Sequence, residues 1–164
     1  MLLMSDMKHR TLKPNLVTYN AAMAALVEGS EWQWSLELMR YLYHQGLRPD
    51  IVTFGAAVSA HARGLAWERS CALLCEIRAS RLRADLVTYN SAILACEGAG
   101  QWQHAHLLVE EMGMKQLQGD VISFSAAVSA CDRSGVWQGA SSLEVRRLRF
   151  LGSLRLALLR LVRA

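Results

Sequence analysis

The feature that most constrains this chain is a period. PNLVTYNAAMAAL starts at Pro14, PDIVTFGAAVSAH at Pro49, ADLVTYNSAILAC at Ala84 and GDVISFSAAVSAC at Gly119, each start 35 residues from the last with no insertion. Set in register, the units share Ala22, Ala57, Ala92 and Ala127, then Ala25, Ala60, Ala95 and Ala130. They also share Trp32, Trp67, Trp102 and Trp137, and Leu38, Leu73, Leu108 and Leu143, while an aromatic recurs at Tyr19, Phe54, Tyr89 and Phe124. Repetition at this length marks an array in which a single unit cannot bury its apolar face and does so only by stacking on its neighbours.

Each unit predicts two helices. The first spans about Val17 to Val27, and its two alanines three apart form a small-residue stripe that lets helices approach closely. A break follows at Gly29-Ser30, Gly64-Leu65, Ala99-Gly100 and Ser134-Gly135. The second helix starts near the Trp and runs to about His44, with Trp32, Leu38, Met39 and Leu42 on its apolar face. It ends at Gln45-Gly46-Leu47-Arg48-Pro49, where the proline blocks continuation. The expected architecture is all-α: a right-handed α-solenoid with a concave and a convex side.

The repeat boundaries are 14–48, 49–83, 84–118 and 119–153. Shifting the first unit back by its own period lays Leu38 on Leu3, Leu42 on Met7, Leu47 on Leu12 and Pro49 on Pro14. Residues 1–13 therefore read as the second helix of a preceding unit, and the chain as a piece of a longer array. The second half of the fourth unit is degenerate: Arg147 stands where Leu42, Ile77 and Met112 stood, and Gly152 where Leu47, Leu82 and Leu117 stood. Residues 154–164 form a basic Leu/Arg-rich tail.

Composition narrows the function classes. With 52% hydrophobic residues, the 164-residue chain is not a disordered polymer. Its net charge of +4 is unevenly placed: residues 1–140 hold 12 Lys/Arg against 13 Asp/Glu, whereas residues 141–164 hold six Arg against one Glu. The body of the chain is near neutral, so charge does not announce an anionic partner. The longest Leu-rich stretch, Leu148 to Val162, is interrupted by Arg149, Arg155 and Arg160, and no segment reads as membrane-spanning. The first ten residues resemble neither a secretory signal nor a transit peptide. Cys71, Cys75, Cys96 and Cys131 contain no CxxC pair. Cys96 and Cys131 take the places of Leu26 and His61, as small buried hydrophobes would, so no metal site is expected. No nucleophile–base set, paired carboxylate or phosphate loop stands out; a non-enzyme without cofactor is the expectation.

A 35-residue helix–turn–helix unit that opens P-D-x-V-T-Y-N and closes on Leu47, Leu82 or Leu117 resembles the pentatricopeptide repeat, over roughly residues 2–140. The Trp opening each second helix departs from the wider pattern and reads as a core variant. Proteins of that family bind single-stranded RNA and read about one base per repeat with a few side chains. The resemblance places the base-reading position on Asn20, Gly55, Asn90 and Ser125, and its partner before the next helix on Asp50, Asp85 and Asp120. It places the aliphatic residue that sandwiches the base on Val17, Val52, Val87 and Ile122. An Asn amide offers a donor and an acceptor to a pyrimidine edge, and an ionised Asp can orient that amide. The resemblance links an Asn/Asp pair to uracil, so the first and third repeats should prefer U, while Gly55 discriminates poorly and the fourth repeat is assigned no base. It further implies a role in mitochondrial or chloroplast RNA processing or expression.

Plainer readings stand beside these. Asn15, Asp50, Asp85 and Asp120 lie where a helix N-cap belongs, and capping alone would explain them, though capping and base contact can coexist. Asn20 and Asn90 could be simply solvent-exposed, and the valines simply packed. Other α-solenoids use their concave face as a protein–protein scaffold, which is the alternative function. The tail could cap the solenoid, contact phosphates or lie on an anionic membrane.

Overall fold

In a computed structural model of the chain, the described residues are 14–29 and 32–135. They form α1 (Leu16–Glu28), α2 (Trp32–His44), α3 (Ile51–Arg63), α4 (Trp67–Ala79), α5 (Leu86–Gly98), α6 (Trp102–Met114) and α7 (Val121–Arg133), with no strand among them. The odd-numbered helices are the first helices of the repeats, beginning at Leu16 and its counterparts; the even-numbered ones begin on the recurrent Trp, as the period predicts. The preceding half-unit 1–13, the second helix of the fourth repeat and the tail lie outside the described residues.

The starts of the odd-numbered helices and the ends of the even-numbered ones are written locally. Asn15, Asp50, Asp85 and Asp120 each accept a hydrogen bond from the backbone N–H three residues on, which satisfies one of the orphan donors of the first turn. At the other end, Leu47, Leu82 and Leu117 donate their N–H groups to the carbonyls of Leu42, Ile77 and Met112, at 3.2, 3.0 and 3.0 Å. This closure needs a left-handed residue just before the leucine. Gly46 fills that place at φ 71°, but Arg81 and Gln116 adopt it at 57° and 59°. The recurrent leucine thus ends one helix and, half-buried, packs against the core.

The helices form two layers of unequal spacing. In the inner layer α1 packs on α3, α3 on α5 and α5 on α7, while each even-numbered helix wedges between the odd-numbered helix before it and the one after. The small-residue stripe makes the inner contact possible: Ala57, Ala60, Ala92, Ala95, Ala127 and Ala130 are fully buried. Around them Tyr19, Met23, Leu42, Phe54, Ile77, Tyr89, Ile93 and Met112 fill the core. Among the described residues the outer helices make no comparable backbone approach to one another. Long side chains bridge them instead: the Tyr43 hydroxyl donates to Glu76 at 2.8 Å, and Arg78, one period on, donates to Glu111 at 2.6 Å. Close packing within the odd-numbered layer and long side-chain bridges between the even-numbered helices make the two layers unequal.

Of the recurrent tryptophans, Trp32, Trp67 and Trp102 are packing residues, and Trp137 lies outside the described residues. The Trp32 ring lies 5.7 Å from that of buried His61, and a Cβ at Gly64 would fall 2.1 Å from Trp32 Cδ1, so any other residue there would displace the indole. Trp67 and Trp102 are partly buried against the core. Cys96 and Cys131 are buried, as their places in register imply. Cys71 is half-buried, with its Sγ 3.9 Å from that of Cys96, and Cys75 is exposed. Among the described residues no group of three or more His, Cys, Asp or Glu could hold a metal ion, and no helix is long and apolar enough to cross a membrane.

Candidate nucleic-acid interface

The proposed base-sandwiching residues are outside the core. Val17, Val52, Val87 and Ile122 are 72, 58, 66 and 52% exposed, so the reading of these side chains as packing does not hold. Each stands at the second position of an odd-numbered helix, and the base-reading position follows three residues later on the same face. Because α1, α3, α5 and α7 lie side by side, the four pairs form a row along the inner layer. Aliphatic surface left in water recurs once per unit, and where a polar side chain stands beside it, as at Asn20 and Asn90, the pair suits a flat ring with a hydrogen-bonding edge.

At the first and third units the reading position is a built polar site. Asn20 Nδ2 donates to Asp50 Oδ1 and Oδ2 at 3.3 and 3.4 Å, and Asn90 Nδ2 donates to Asp120 at 3.2 and 3.1 Å. Both asparagines are half-buried and tethered, which corrects their reading as free surface amides. The carboxylate bridges directly, without an intervening water. It also caps the next helix: Thr53 N–H and Ser123 N–H each donate to Oδ1 of their Asp at 2.9 Å. Capping and orienting the amide are thus done by one side chain.

Burial works to raise the pKa of both Asp50 and Asp120. The N–H and hydroxyl of Thr53 or Ser123, the Asn amide, and the N–H of Val52 or Ile122 more than offset it, and both carboxyls lie below their ordinary value. At neutral pH each is an anion that can only accept.

A participant not singled out from the sequence completes the site. Thr53 Oγ1 donates to Asn20 Oδ1 at 2.5 Å, and Ser123 Oγ to Asn90 Oδ1 at 2.5 Å. The signal was present: a hydroxyl recurs at Thr18, Thr53, Thr88 and Ser123, one period apart. At the third position of a helix such a hydroxyl is accounted for by capping alone, so the sequence does not single it out.

The other two units differ. Gly55 brings no side chain to Asp85, whose Oδ1 accepts only from the N–H and hydroxyl of Thr88, at 2.8 and 2.6 Å. Ser125 sits at the reading position of α7, but its hydroxyl turns back on its own helix, 2.6 Å from the Val121 carbonyl and 3.1 Å from that of Ile122. Asn15 caps α1 through the N–H and hydroxyl of Thr18, both at 3.0 Å.

A sequence profile described as the pentatricopeptide repeat domain matches residues 2–63 and 72–133. No curated protein sequence matches the chain. Among solved structures, the fold is similar to that of the pentatricopeptide repeat protein PPR10 from maize, with a TM-score of 0.76 at 18% identity over 93% of this chain. This chain spans 22% of the maize chain. PPR10 in complex with an 18-nt psaJ RNA element superposes with a TM-score of 0.73 at 18% identity over 89% of this chain and 22% of that one. The pentatricopeptide repeat domain of Arabidopsis thaliana protein-only RNase P 1, in complex with tRNA, gives 0.77 at 13% identity over 91% of this chain and 78% of that one. The repeat period, the stacked hairpins and a profile match over most of the sequence lead to one conclusion: the chain belongs to the pentatricopeptide repeat family.

Proposed function

We propose that this chain binds single-stranded RNA along its inner helices, takes about one base per repeat, and favours uracil at the first and third units. The observation that carries the reading is the Asn–Asp pair, formed once between Asn20 and Asp50 and again, two periods later, between Asn90 and Asp120. Each presents a held amide beside an exposed aliphatic side chain, and bases in single strands leave their edges free for such contacts. The solved relatives carry RNA in their complexes, a psaJ element and a tRNA, which supports the same ligand class here. The role is binding without catalysis, in the processing or expression of mitochondrial or chloroplast transcripts.

The test is titration of labelled U-rich and A-rich decamers at two salt concentrations. Stacking contributes about 1–3 kcal/mol per base, so a chain engaging only a few bases should bind weakly but prefer the U-rich strand. Asn90→Ala should reduce that preference more than it reduces total affinity. Equal, purely salt-driven binding to both strands would remove base reading. The near-neutral body, 12 Lys/Arg against 13 Asp/Glu over residues 1–140, favours a protein scaffold as the second reading, and failure to bind either strand would select it.

A further inference from the structure

Resting on the uracil-reading proposal, we infer that Thr53 and Ser123 are positioning residues that set discrimination between uracil and cytosine, by fixing which end of the Asn20 and Asn90 amides donates. Each belongs to the repeat after the one whose base it governs.

An amide has a donating and an accepting end, and rotating it by half a turn exchanges them. Here both ends are held. The Nδ2 ends of Asn20 and Asn90 face the Asp50 and Asp120 carboxylates, which only accept. The Oδ1 ends lie 2.5 Å from the Thr53 and Ser123 hydroxyls, whose single hydrogen faces both this oxygen and the Asp Oδ1 at 2.8 and 2.9 Å, with the shorter approach to the amide, and an amide oxygen there can only accept. A flipped amide would set its carbonyl against the carboxylate. Each held amide keeps one N–H and one oxygen lone pair for a base, in a fixed order.

That order matters for pyrimidines. Uracil offers an acceptor at position 4 and a donor at position 3; cytosine offers a donor at position 4 and an acceptor at position 3. With the ring set by its aliphatic neighbour, a freely flipping amide matches either base, whereas a held one matches only one of them. The unit between the readers supplies a built-in control. Thr88 donates its N–H and hydroxyl to Asp85 Oδ1 as Thr53 and Ser123 do to their Asp, without the reciprocal bond from the Asp N–H, and has no amide to hold, because Gly55 stands opposite.

The experiment uses the full chain with uridine and cytidine decamers. The ratio of the two Kd values should fall about three- to tenfold for each reading site in the Thr53→Val, Ser123→Ala double variant, the effect of one lost hydrogen bond at each. It should stay at the wild-type value in Thr88→Val, which loses the same capping hydroxyl, and in Thr53→Ser, which keeps the donor. In the RNA-free protein, the side-chain NH2 resonances of Asn20 and Asn90 should move toward those of a free amide in the double variant. An unchanged ratio or unchanged NH2 resonances would reduce Thr53 and Ser123 to capping residues and overturn the inference while uracil reading stands. A wild-type ratio of one would instead bring down uracil reading itself, and this inference with it.

Discussion

The first and third junctions of the array differ from the second by one side chain. At the outer two, an Asn on one inner helix meets the Asp that caps the next; at the middle one, Gly55 leaves Asp85 with only its own helix to cap. The backbone is common to all three: the same N-cap, the same hydroxyl at the third helical position and the same inner-helix packing. Capping is therefore the framework property, and recognition is added when an amide is placed within reach of a carboxylate already held. Evolution of base preference in such an array can proceed at the amide position without disturbing helix initiation.

The most severe test of that division removes the shared residue at both kinds of junction. Asp85→Ala should cost about 1 kcal/mol, the ordinary loss of a helix cap. Asp120→Ala should cost more, about 1.5–3 kcal/mol, because the Asn90 amide also loses its acceptor. Urea denaturation of the two variants checks the difference, and equal losses would mean that the Asn–Asp bond adds nothing to cohesion between units.

Acid should test the outer junctions through charge. Asp50 and Asp120 have folded pKa values below their ordinary 3.8, so their contribution to stability is present above that value and is lost as pH falls through the lowered one. Stability should drop between about pH 5 and pH 2, and the Asp50→Asn, Asp120→Asn double variant should show a shallower drop. Parallel acid curves for the variant and the wild type would contradict the shifts.

The gentlest change converts the middle junction into the outer kind. A Cβ at Gly55 would lie 3.2 Å from Thr88 Oγ1, tight but at a place where the outer junctions already seat an Asn beside a hydroxyl. Gly55→Asn should change stability by less than about 0.5 kcal/mol, since Asn is a somewhat better helix former than Gly. It should also create a third uracil preference, read as a higher ratio of U-rich to A-rich binding. A gain in stability without that preference would show that an Asn–Asp pair is not a sufficient reader.

The two kinds of junction also show where sequence reasoning reached and where it stopped. Helix starts at Trp32, Trp67 and Trp102 were legible because the period and the breaks before them agree locally, although no side chain caps the helices at Trp67 and Trp102. The left-handed residues were legible at Gly46 but not at Arg81 or Gln116, where closure of the helix end onto a core carbonyl imposes the conformation on side chains that disfavour it. The exposure of Val17, Val52, Val87 and Ile122 was open until the packing of the inner helices was known. A valine at helical spacing serves core and ligand equally well in a string of letters.

The sequence by itself determined the unit, its two helices and their ends, because hydrophobic spacing, capping and chain-breaking act within a few residues. The packing of neighbouring units decided the rest: that Asn20 reaches Asp50 and Asn90 reaches Asp120, 30 residues away in each case, and that a hydroxyl of the following helix fixes the amide between them. Those bonds depend on how closely two alanine-lined helices approach, a distance set by the whole stack and by no single repeat.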